Sequence, residues 1–121
     1  MVAIEANELK NILTVRYWGL VRPAEVEHGL EEMRTGLERL RSGFRLLADL
    51  SELESMDVGC APFIEKAMDL CNEKGASIVA RVIPDPHRDI GMQIMSIFHY
   101  GSDVQIVTCE TLAEAIKILE P

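Results

Sequence analysis

Phe44-Arg45-Leu46-Leu47-Ala48-Asp49-Leu50, the loop Ser51-Glu52-Leu53-Glu54-Ser55-Met56, and then Asp57-Val58-Gly59-Cys60 form the stretch on which the fold turns. Residues 44–50 are a short, nearly unbroken apolar run, the pattern of a strand covered on both faces. Asp57 is the residue type that caps a helix, because its short carboxylate accepts from the free amides of the first turn. Pro62 falls in that turn, where a missing N–H costs nothing. Ile64, Ala67, Met68 and Cys71 recur at helical spacing, and Gly75 stops the helix begun near Gly59. The next apolar run, Ser77-Ile78-Val79-Ala80-Arg81-Val82-Ile83, is a second buried strand. Strand, helix, strand in this order predicts a parallel pair.

Outward from this unit the alternation continues. Residues 2–5 and 11–18 read as strands with a turn at Asn7-Glu8, and in the second Leu13, Val15 and Tyr17 oppose Ile12, Thr14, Arg16 and Trp18. Pro23 begins a helix that runs to about Leu40, with Val26, Leu30, Met33, Leu37 and Leu40 in one apolar seam. Beyond residue 83, Pro84-Asp85-Pro86 is a rigid turn, and a helix is expected from about His87 to Tyr100. Residues 104–108 are the last strand. Thr111-Leu112-Ala113-Glu114 has the spacing of a capping box, so Thr111 should open the final helix. The expectation is an α/β fold in one domain, residues 1–121: a mostly parallel central sheet, an N-terminal antiparallel hairpin and about four helices.

Composition sets limits on function. The chain has 121 residues, 48% apolar and 26% charged, with a net charge of −8. Such acidity disfavours nucleic acid and anionic membrane surfaces, which require a basic stripe. Cys60, Cys71 and Cys109 are odd in number and show no Cys-x-x-Cys, so disulfide, zinc and thioredoxin-like readings fail. A dinucleotide fold would need Gly-x-Gly-x-x-Gly, and a receiver domain an acidic pair after its first strand; neither is present. No run approaches the length of a membrane span, and no basic segment followed by an apolar stretch opens the sequence. A cytoplasmic protein is expected.

The strand ending Asp49-Leu50-Ser51, the Met56-Asp57 lead into a helix, the Lys74-Gly75-Ala76 stop and the terminal Thr111-Leu112-Ala113-Glu114-Ala115 helix occur in the order and spacing of STAS domains. Over roughly residues 11–120 the chain resembles this family of anti-sigma factor antagonists and transporter tails. Pro84-Asp85-Pro86-His87-Arg88-Asp89-Ile90-Gly91 and Phe98-His99-Tyr100 resemble its SpoIIAA-like relatives that keep the fold without the serine switch. Where the antagonists usually read Asp-Ser-Ser-Gly, with the second serine phosphorylated, this chain has Val58 and Gly59 in the serine positions. The resemblance implies a non-catalytic regulatory or scaffolding domain, without that switch, that binds a protein partner or itself as a homodimer. It places the contact at Asp57, Val58, Gly59 and Cys60.

Other residues offer competing chemistry. Cys60 at a helix N-terminus has the setting that favours a thiolate, but Asp57 opposes it and no spacing brings a histidine. His28, His87 and His99 show no metal-ligand spacing. Arg81 interrupts an apolar strand and requires a partner, Asp49 or alternatively Asp89, unless it serves an anion at the carboxyl edge of the sheet. On the helix expected over 87–100, Met92, Met95 and His99 lie opposite Ile90, Ile94, Ile97 and Phe98, a second face suited to a partner or subunit contact. The alternative function is a carrier of a small molecule or lipid, with Phe63, Met68, Met95 and Trp18 lining an apolar pocket. No general acid–base pair is specified, so an enzyme is not expected, nor a cofactor or metal.

Overall fold

Strict alternation in Ile12–Tyr17 gives that strand two chemically distinct faces, and the whole architecture is built on them. The computed structural model describes residues 1–83 and 104–120. Its elements are β1 (Val2–Asn7), β2 (Ile12–Tyr17), β3 (Gly19–Val21), α1 (Pro23–Glu38), β4 (Arg45–Asp49) and β5 (Leu53–Met56). A 3₁₀ turn (Val58–Cys60), α2 (Ala61–Lys74), β6 (Ile78–Val82), β7 (Gln105–Cys109) and α3 (Leu112–Leu119) follow. The helix expected over 87–100, with Met92, Met95 and His99, lies outside the described residues.

The main sheet has the order β1-β2-β4-β6-β7. β1 and β2 form the expected antiparallel hairpin, and every other neighbour is parallel. Register aligns Leu13 with Leu46 and Leu46 with Val79 on one face. On that face α1 contributes Val26, Leu30, Met33 and Leu37, and α2 contributes Ile64, Ala67 and Cys71, to one core. Register also aligns Leu47 with Ala80, and these meet Val82, Cys109, Ala115 and Leu119 in a smaller core under α3 on the opposite face. The sheet is therefore a middle layer between helices, as its apolar parallel strands require.

Local chemistry explains the boundaries. Glu25 reaches back to accept from the Arg22 N–H at 3.2 Å, closing the start of α1 behind Pro23. Gly29 and Gly36 are spaced so that both face β1 and β2; a Cβ at Gly29 would sit 3.3 Å from Val2, and one at Gly36 3.3 Å from Leu13. Gly75 ends α2 with φ 97°. A Cβ there would also crowd the Ser42 hydroxyl, which can turn away, so it is the backbone conformation that demands glycine. Thr111 caps α3 as its sequence predicts, accepting from the Glu114 N–H at 3.2 Å.

Two short strands carry no period of their own in the sequence. β3 and β5 pair in parallel as a separate two-stranded sheet, with Leu20 opposite Ser55 and Val21 opposite Met56. β2 accordingly ends at Tyr17 rather than including Trp18, because Gly19 turns the chain at φ 66°.

Candidate functional site

The small sheet carries the stretch singled out by the sequence to the surface. The Asp57 N–H donates to the Val21 carbonyl at 3.1 Å, which continues the β3–β5 pairing into the turn. The Asp57 side chain then accepts from the Gly59 N–H at 2.7 Å, the capping role expected of it. Gly59 is tightly seated: a Cβ there would come 3.1 Å from Pro23 Cγ and 3.2 Å from Asp57 Oδ1. Val58 is 56% exposed and Leu20, on the adjoining strand, 59% exposed. Two exposed apolar side chains thus stand on β3 and on the 3₁₀ turn that follows β5.

Cys60 does not join them. It is completely buried, and its thiol points back toward the Val21 carbonyl at 3.7 Å. Burial, then the negative charges of Asp57 and Glu25, push its pKa up to about 11, which is the reverse of thiolate activation. Among the described residues no group of three or more His, Cys, Asp or Glu side chains is placed to hold a metal ion.

Arg81 presents different chemistry. It is 7% exposed on a central strand, and Asp49 is not its partner. Arg81 lies beside Ala48, so the pleat turns Asp49 to the opposite face of the sheet. There Asp49 meets Arg16, with Nε to Oδ2 at 3.7 Å, and accepts from the Ser51 N–H at 3.0 Å and hydroxyl at 2.6 Å. Asp89, the alternative partner, lies outside the described residues. The hydrogen bond of Arg81 is from Nη2 to Thr108 Oγ1 at 3.0 Å; among the described residues its buried Nε and Nη1 meet no acceptor. Burial lowers its pKa.

Arg81 also lines an apolar cavity of ≈ 60 Å³, together with Tyr17, Met33, Ile64, Met68 and Ile106 among others. Of the four residues expected to line an apolar pocket, Met68 is here. Trp18 instead lies under the Arg16 guanidinium, 4.9 Å from ring centroid to Cζ, and Phe63 packs 5.7 Å from Lys66 Nζ. Met95 lies outside the described residues. Sequence reasoning missed Leu20 and the cavity, because both depend on pairings between distant segments. The interrupting charge of Arg81 was the signal that could have found the second.

No helix among the described residues is long and apolar enough to cross a membrane. No family model matches the chain, and no curated protein matches its sequence. Solved structures do match. The anti-sigma factor antagonist SpoIIAA in its unphosphorylated form aligns with a TM-score of 0.69 at 15% identity, over 98% of this chain and 97% of that one. A DUF3478-family protein from Shewanella loihica PV-4, described as having a SpoIIAA-like fold, gives 0.69 at 16% identity, over 98% and 92%. The Bacillus cell fate determinant SpoIIAA in the phosphorylated form gives 0.66 at 15% identity, over 99% and 100%. With its parallel sheet, N-terminal hairpin and flanking helices, the chain has the STAS or SpoIIAA-like fold.

Proposed function

We propose that this chain is a non-catalytic regulatory domain that binds a protein partner through the surface formed by Leu20, Asp57, Val58 and Gly59. The carrying observation is the exposure of Leu20, on β3, and of Val58, in the 3₁₀ turn that follows its partner strand β5. Apolar anchors on a rigid backbone are what a protein interface uses at its centre. Cys60 supports the turn from beneath. A partner captured by the wild-type chain should be lost from Leu20→Glu with Val58→Glu while circular dichroism stays unchanged. Equal capture by the double variant rejects the surface.

This contact works without a serine switch. Positions 58 and 59 carry no hydroxyl, and Ser55 lies within β5 rather than at a helix start. Incubation with an antagonist-type serine kinase should leave Gly59 and its neighbours unmodified by mass spectrometry. Stoichiometric phosphate on Ser55 with loss of the partner would restore the switch.

Self-association is a separate arm, through a different set of residues, and its support is the Met92, Met95 and His99 pattern in the sequence. Met92→Glu with Met95→Glu should give a smaller species in sedimentation with an intact fold. A folded protein of unchanged mass removes this arm. A second reading, a small-molecule carrier, is favoured by the cavity beside Arg81.

A further inference from the structure

We propose that Arg81 and the cavity beside it bind a small apolar monocarboxylate, with the carboxylate on the guanidinium and the tail among Ile64, Met68 and Ile106. Among the described residues the buried charge of Arg81 meets no carboxylate. A guanidinium remains protonated in a protein at neutral pH, and it carries five N–H donors in a planar fork. Arg81 holds that fork inside the molecule with a neutral hydroxyl, Thr108 Oγ1, as its hydrogen-bond acceptor among the described residues. Asp49 cannot answer it, since the pleat sends that carboxylate to the other face and into the Arg16 and Ser51 contacts. Buried charges are ordinarily paired, so an anion completes the site.

The surroundings choose among anions. The cavity of ≈ 60 Å³ has the room of about two waters, enough for a carboxylate head and the start of a tail. Its lining is dominated by apolar side chains such as Ile64, Met68 and Ile106, around one guanidinium. A single positive charge in apolar walls matches a monoanion with an apolar body. A phosphate dianion would leave oxygens without donors. The guanidinium fork also matches the two oxygens of a carboxylate. Arg81 is next to last in β6, near the carboxyl edge of the parallel strands, where open α/β sheets hold ligands.

The proposal deepens the carrier reading and is independent of the Val58 surface. Sodium butyrate is the probe, titrated into the full chain in chloride-free buffer. The Arg81 Nε–H resonance should shift and saturate at one equivalent. Arg81→Met, close in shape and uncharged, should weaken binding about tenfold or more, a loss of one order in Kd. Ala67→Met keeps the guanidinium, fills the cavity wall and should also lose binding. If Arg81→Met does not fold, the wild-type resonance and Ala67→Met still decide. No shift with butyrate overturns the site. Chloride or inorganic phosphate binding as tightly as butyrate overturns the carboxylate assignment. A neutral ligand retained in native mass spectrometry, with no butyrate binding, sinks this proposal and leaves the carrier reading standing.

Discussion

Burial pushes the pKa values of the two thiols of the larger core upward, so they contribute to how stability depends on alkaline pH. Cys60 is pushed from 9.0 up to about 11 and Cys71 from 9.0 up to about 12, chiefly by burial. Tyr17, buried beside them, is raised in the same direction. Groups with raised folded pKa values bind more protons in the folded state than in the unfolded chain. Their contribution to stability is fully present below about pH 9 and is lost as pH rises through the folded values, about 11 and 12. Urea midpoints should therefore fall steadily above pH ~9, and Cys71→Ala should flatten that fall. A midpoint that holds level across this window would show that the thiols are not sequestered. In the native state both should resist a thiol reagent that labels the unfolded chain. Such inertness follows from the residues packed around them, which is why the helix-start position of Cys60 misleads when read alone.

Among the elements, α1 shows how one residue type can have opposite consequences. Alanine is about 1 kcal/mol better than glycine inside a helix. At Gly29 the added Cβ meets Val2 and Ile4, partly buried side chains near the start of edge strand β1 that have room to yield. At Gly36 it meets Leu13, which is fully buried, and Ala6. Gly29→Ala should therefore be neutral or stabilising, and Gly36→Ala should lose about 1–3 kcal/mol through overpacking. Equal shifts in thermal midpoint for the two would contradict this assignment of the close approach. The helices, their caps at Thr111 and Asp57, and the strands of the main sheet were legible because each signal lies within a few residues. β3 and β5 were not: three and four residues give no period, and their pairing joins segments more than thirty positions apart.

For the molecule as a whole, two unequal cores flank one sheet. Among the described residues the larger is covered by α1 and α2, and the smaller by the short helix α3 through Ala115 and Leu119. Leu119→Ala should cost about 2–5 kcal/mol, and amide exchange should accelerate first in α3 and β7. Uniform acceleration through β1, β2 and α1 would show instead that the two cores open as one. The sequence by itself determined the order of the main-sheet strands and of the three described helices, the parallel direction of residues 44–50, 77–83 and 104–108, and the absence of hydroxyls at positions 58 and 59. Those are properties of local period, capping chemistry and residue identity. Only the tertiary structure decided that Leu20 and Val58 are exposed, that Cys60 is buried with its thiol toward the Val21 carbonyl, and that Arg81 has Thr108 rather than Asp49 beside it. The reason is pleat parity and register: moving one residue along a strand exchanges its two faces, and that choice belongs to the packed sheet rather than to any single segment.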